Sequence, residues 1–364
     1  MPKNIIICCD GTNNQIARDL TNVLRTYKVA SRTPTQLTFY DCGVGTLPVP
    51  WAGGQLGQKL SLLKGLASGA GFMDNITDAY RFLMSCYEEG DKIFLFGFSR
   101  GAFTARALAG MLNSVGLLRP ESENLVRYAQ KYWQKIGHGS VCSDFKAMMS
   151  RPCPVHFVGV WDTVGSVGYP NQFRTFPYTM ENPGVQFVRH AVAIDERRCF
   201  FRQNLMFASK SNPHQSIKNV WFAGVHSDVG GGYPAQEAGL PKIAFEWMMR
   251  EAVAAGMQVN QASLSDEINL RGAPPDYTAQ QHESLKGAWL LAELLPVKSY
   301  NWDSKQKEWR LPLGAARNAW RHADRPEVFL HQSVIDRIKT VASYRPPNIE
   351  HTELELRKRF KIES

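Results

Sequence analysis

The chain has 364 residues, 44% hydrophobic and 11% aromatic, with 42 Lys and Arg against 33 Asp and Glu, a formal net charge of +9. That size suits one decorated α/β domain with a sizeable core, and no run of 18 or more apolar residues provides a transmembrane helix. The positive balance favours anionic partners, but the basic residues are dispersed and no nucleic-acid-binding motif is found, so nucleic acid is not an expected ligand.

In chain order, Met1-Pro2-Lys3-Asn4 and the short apolar run after it do not make a secretory signal, so synthesis in the cytoplasm without a signal peptide is expected. The run Ile5-Ile6-Ile7-Cys8-Cys9 predicts a buried strand ending at Asp10-Gly11-Thr12-Asn13-Asn14. A modest helix is predicted over 20–30 and a strand over 37–40, which runs into a glycine-rich stretch from Asp41 to Gly57. Ile76, Tyr80, Phe82, Leu83 and Tyr87 fall largely on one face of a helix over 76–87. Lys92 to Phe96 is a strand, followed by Gly97-Phe98-Ser99-Arg100-Gly101 and a helix beginning near Ala102. Strands over 155–160 and 220–225 end at Trp161-Asp162-Thr163 and at His226-Ser227-Asp228 with its glycine run. A helix over 242–255 follows, and the apolar run 328–330 leads to His331.

This alternation predicts an α/β-hydrolase-type fold, a mostly parallel sheet with helices on both faces and its polar loops at the strand C-termini. One domain over 1–364 is expected, with cap-like insertions at about 116–150, 164–215 and 256–327. Seven cysteines lack the paired spacing of a zinc site and are expected to be reduced thiols. No metal and no cofactor is expected.

Gly97-Phe98-Ser99-Arg100-Gly101 fits the G-x-S-x-G nucleophile elbow, and it lies between an apolar strand and a small-residue helix, as that elbow requires. Ser99 is therefore the expected nucleophile, and the backbone N–H of Arg100 at the helix start is an oxyanion donor. A second donor is expected from the loop after the first strand, at Gly11 or Thr12. Asp10 cannot donate while ionised; orienting that loop, binding a cation or holding Arg100 are its candidate roles.

A serine nucleophile needs a base and an orienting acid. Counting strands from the elbow puts Asp228 after the second and His331 after the third, which favours Ser99–Asp228–His331. Ser99–Asp162–His226, or a mixture of the two sets, is the alternative. A histidine hydrogen-bonded to backbone is the plain reading of His331. A different chemistry stays open as well: a metal-dependent phosphoesterase in which Asp10, Asp162, Asp228 and His226 hold cations at the strand ends. In the charged cluster 190–198, Arg197 and Arg198 are candidates for clamping an anionic headgroup.

Five ordered motifs together resemble a known family. They are Cys9 to Asn14, Gly97 to Ala102, Gly159 to Gly165, Ala193 to Arg198 and Gly224 to Tyr233, with a weaker echo at His331 to Val334. The set is similar to the DUF2235 family, the catalytic domain of Tle1-type phospholipase effectors of type VI secretion, from about residue 4 to 235. The resemblance implies an α/β-hydrolase with a Ser-Asp-His triad that cleaves phospholipid esters. It also implies a lipid ester substrate and export by a type VI secretion system, while the positive charge and the aromatic-rich insertions fit peripheral contact with an anionic membrane. It carries Ser99 over directly but matches both Asp/His pairs, so it does not choose between them.

Overall fold

Eight parallel strands form one sheet in a computed structural model, which describes residues 2–11, 20–43, 70–135, 139–165, 176–301, 306–319 and 322–364. They are β1 (Asn4–Cys9), β2 (Gln36–Asp41), β3 (Lys92–Phe98), β4 (Val155–Trp161), β5 (Val185–Ala193), β6 (Ser216–Phe222), β7 (Val328–His331) and β8 (Lys361–Glu363). Their spatial order is β2-β1-β3-β4-β5-β6-β7-β8.

The continuous apolar run of β1 has a simple cause. Ile5, Ile7 and Cys9 pack into one core with helices α2 (Ala70–Cys86) and α3 (Arg100–Val115). Ile6 and Cys8 face the opposite way, into a second core with α1 (Asn22–Val29) and α7 (Gly239–Ala254). Side chains alternate across a strand, so a strand covered on both faces needs apolar residues at every position. A third core lies at the far edge, where Trp221 and Leu330 meet Val334, Ile338 and Leu356 from the two C-terminal helices.

β1 pairs with β2 on one side and β3 on the other, so the chain reverses its direction of sheet growth between β1 and β3. Loops leaving the C-terminal ends on either side of such a switch point diverge and leave a crevice. The elbow carrying Ser99 leaves β3 there.

The expected insertions carry more regular structure than their sequences suggested. Segment 116–150 holds α4 (Val126–Lys135) and α5 (Ser140–Met149), whose Ala129, Trp133 and Phe145 join the core beneath α3. Segment 164–215 contains β5, a central strand, and is therefore not wholly an insertion. Counted with β5, Asp228 follows the third strand beyond the elbow and His331 the fourth. The strand expected over 220–225 is observed at Ser216–Phe222, ending three residues before Val225; beyond it Gly224 leaves the ladder with φ +108°. All seven cysteines are free, five of them buried.

Candidate active site

Ser99 has φ 58° and ψ −120°, a left-handed backbone that costs a non-glycine residue about 1–3 kcal/mol. Packing holds it there. A Cβ on Gly101 would lie 2.1 Å from the Cys9 carbonyl oxygen and 2.4 Å from that of Asp10. Only glycine lets the first turn of α3 press against the end of β1. The Ser99 N–H donates to the Trp161 carbonyl (3.1 Å) and its carbonyl accepts from Val164 N–H (3.2 Å), which fixes the turn to the loop bearing Asp162. Arg100 opens α3, whose first-turn N–H groups point out of the helix toward the crevice end.

α6 (His226–Gly230) brings a histidine to the same place. A Cβ on Gly230 would fall 1.9 Å from the Phe98 ring, so a residue with a side chain there would push α6 off the elbow. The His226 ring lies 4.5 Å from Phe98 and 4.9 Å, edge-on, from Phe201. Its Nδ1 is 2.6 Å from Asp162 Oδ2. Its backbone N–H donates to Glu196 Oε2 (3.2 Å). Among the described residues, neither the Ser99 hydroxyl nor His226 Nε2 has a hydrogen-bond partner, so both remain available to a substrate.

Asp162 is fully enclosed and heavily bonded. It takes the fork of Arg317, through Nη1 to Oδ1 and Nη2 to Oδ2 (3.0 Å), and Ala193 N–H donates to Oδ1 (3.0 Å). Burial pushes its pKa up, but the charges and hydrogen bonds of Arg317 and His226 outweigh burial and hold the carboxyl well below the usual carboxylate range. Arg317 also donates to the Phe201 and Ala193 carbonyls. An ionised acid, a histidine oriented through Nδ1 and a strained serine are the parts of an acyl-transfer site.

A sequence profile for the catalytic domain of Tle1-like phospholipase effectors of type VI secretion matches residues 3–251. The chain belongs to this family. The uncharacterized protein YEL023C of Saccharomyces cerevisiae is 38% identical over 221 residues, 55% of this chain and 32% of that protein. A solved structure of an uncharacterized Pseudomonas aeruginosa protein is 19% identical, covering 75% of this chain and 48% of that one at a TM-score of 0.42. A Tle1 effector solved bound to the VgrG spike of the type 6 secretion system is also 19% identical, covering 64% and 51% at a TM-score of 0.38. The chain spans between a third and about half of the length of these relatives.

In this Tle1-like domain the remaining expected residues are placed otherwise. Asp228 does not meet His331. Its Oδ1 bonds His282 Nδ1 (2.7 Å), and its Oδ2 accepts from the N–H groups of Val225 (3.0 Å) and His282 (3.2 Å). His282 Nε2 reaches Glu237 Oε2 (2.8 Å), and the ring stacks on Tyr233 at 3.6 Å. Burial lowers the His282 pKa, but its two carboxylate partners outweigh that and the net shift is upward. His331 caps a helix instead: its Nδ1 accepts from Ser333 N–H (3.3 Å) and lies 2.8 Å from Ser333 Oγ, while the ring stacks on Phe222. Burial pushes its pKa down to about 3, so it is neutral.

The Gly11 N–H is occupied by Asp10 Oδ1 (2.7 Å), so it is not presented as an oxyanion donor; Thr12 lies outside the described residues. Asp10 Oδ2 accepts from Thr21 Oγ1 (2.6 Å) and Tyr40 OH (2.7 Å), so this carboxylate orients its loop. Asp10, Asp162 and Asp228 do not share a site, and among the described residues no group of three or more His, Cys, Asp or Glu side chains is placed to hold a metal ion.

Arg198 is not presented as a headgroup clamp. It forks onto Glu196 (2.9 and 2.8 Å) and lies 3.5 Å over the Phe201 ring. Arg197 Nε donates to the Gly314 carbonyl (2.8 Å). Arg317 and His282 were not expected from the sequence; both come from the irregular stretch 256–327, where no motif marks them.

Proposed function

We propose that the chain is a serine esterase that cleaves carboxylic esters of phospholipids, with Ser99 as nucleophile, His226 as base and Asp162 as the acid that orients it. The observation that carries this is the 2.6 Å bond from Asp162 to His226 Nδ1 beside a serine held at φ 58°. Ser99 Oγ attacks the ester carbonyl carbon and its proton passes to His226 Nε2. The oxyanion is met by the Arg100 N–H and the positive end of α3. The intermediate collapses, the C–O bond to the glycerol breaks, and His226 returns the proton to the leaving alcohol. Water, deprotonated by His226, then attacks the acyl-enzyme carbonyl, and His226 returns the proton to Ser99 Oγ as the fatty acid is freed. Export by a type VI system, named in the family's description, is the cellular part of the proposal.

A fluorophosphonate probe tests it. The wild-type protein takes the label and hydrolyses phospholipid and p-nitrophenyl esters; Ser99→Ala does neither. His226→Ala and Asp162→Asn are expected to lower kcat by about 1,000-fold or more, whereas His331→Ala leaves it nearly unchanged. Label retained by Ser99→Ala sinks the proposal. The metal-phosphoesterase alternative makes the opposite forecast under EDTA, which should abolish its activity and leave that of a triad intact.

A further inference from the structure

The segment between residues 285 and 313 carries an apolar surface that the fold leaves uncovered. α8 (Ala288–Ala292) and the turn after it expose Leu290, Leu291, Leu294 and Leu295, with Leu291 70% accessible. The hairpin Val297–Asn301/Gln306–Arg310 pairs Val297 with Arg310, so Leu311 leaves the hairpin at the end where the chain from Leu295 enters it. Trp309, Leu311 and Leu313 are each more than half exposed as well. Soluble proteins rarely leave this many large apolar side chains together in water without a binding role.

The surface is anchored and it adjoins the site. Glu293, alone among the residues from 290 to 295 in being a buried acid, accepts from Cys199 N–H (2.7 Å) and Gly314 N–H (2.9 Å). That fixes α8 with its leucines outward. Trp289 meets Phe201 edge-on at 5.4 Å, and Phe201 in turn meets His226. One row of rings therefore joins the leucine surface to the proposed base.

Charge says what covers it. Residues 285–313 contain five Lys and Arg against three Asp and Glu, and one of the three acids is the inward Glu293. Lys286, ahead of α8, and Arg310, between Trp309 and Leu311, are both exposed. Leucine and tryptophan with cations around them is the composition of an element lying in a membrane interface, its apolar face among acyl chains and its cations at phosphate level.

We propose that this leucine surface docks the protein on an anionic phospholipid bilayer, with the row of rings leading lipid toward Ser99; it rests on the esterase proposal for what happens next. The test is cosedimentation with vesicles of equal phosphatidylglycerol and phosphatidylcholine, compared with phosphatidylcholine alone, using Ser99→Ala protein so that no lipid is consumed. The protein is expected to pellet with the anionic vesicles. Leu291→Asp with Leu294→Asp should weaken binding by about tenfold or more. Lys286→Glu with Arg310→Glu should weaken it on the anionic vesicles only. Placed in the Ser99 protein, both pairs should keep hydrolysis of soluble p-nitrophenyl butyrate within about twofold, which shows them folded.

Vesicle binding unchanged in both pairs, or none by the parent, overturns the proposal. So does gel filtration showing a dimer that the aspartates dissociate, since the surface would then belong to a second copy. Should the leucine pair lose soluble-ester activity, the charge pair alone decides. Should Ser99→Ala still hydrolyse the soluble ester, the catalytic proposal falls and the binding result stands apart from it.

Discussion

At the scale of single residues, Arg317 is the most consequential side chain outside the proposed triad. It reaches Asp162 across 155 residues of sequence and is almost wholly enclosed with it. Removing one partner of a buried pair leaves the other charge unmatched, at a cost of about 3–5 kcal/mol. Arg317→Ala should therefore lose about that much stability in urea, and kcat should fall more than KM rises. Arg317→Lys supplies charge without the fork and should recover part of the stability and less of the rate. The acid itself has a pH signature. Its folded pKa lies below the unfolded value near 4, so the unfolded chain takes up the proton first as pH falls. Its contribution is complete above about pH 5 and is lost on further acidification. The stability gap between wild type and Asp162→Asn, measured by urea unfolding, should narrow steadily from there downward.

Among the elements, α6 has the tightest requirement. Gly230→Ala must displace either the Phe98 ring or the helix that carries His226, and kcat is expected to drop by about tenfold or more while KM changes little. The second histidine pair behaves differently. His282 ties the 256–327 stretch to α6 through Asp228 and to Glu237. Its pKa is raised on folding, so its stabilising effect is full below about pH 6.5 and is lost as pH rises through the folded value. The thermal midpoint of wild type should exceed that of His282→Gln in mild acid, and the two should converge in alkali.

Legibility in the sequence followed the same division by element. The elbow, β1, α2 and α3 were legible because each is stabilised by contacts that repeat with its own period. β5 was not: Arg189 and His190 interrupt its apolar run. The fold tolerates them because Arg189 pairs with Glu251 and donates to the Ser216 carbonyl, while His190 bonds Asn219 and accepts from Thr163 N–H. Burial then lowers the His190 pKa to about 3. With β5 unseen, the strand count favoured Asp228 and His331. Arg317 and His282 were hidden for a related reason, since their partners are set by tertiary contact and leave no local pattern.

For the molecule as a whole, the excess of positive charge matters where the substrate surface is anionic. Hydrolysis of anionic vesicles should decline as ionic strength rises about tenfold from about 0.05 M, while hydrolysis of a neutral soluble ester holds steady. A matching decline for both substrates would show that salt acts on the site and not on docking.

The direction in which the sheet grows has a consequence for how the site comes into being. From β3 to β8 each new strand is added beside the last, so a chain leaving the ribosome can extend the sheet edge by edge. Ser99, Asp162 and His226 all lie within the stretch matched to the family, 3–251, whereas Arg317 is synthesised later and β7 after it. For the interval between, the nascent domain holds a carboxylate designed for enclosure without the cation that makes enclosure tolerable. The crevice should therefore stay open and wet until Arg317 arrives, so that the proposed triad is enclosed only once residues 252–317 have been made.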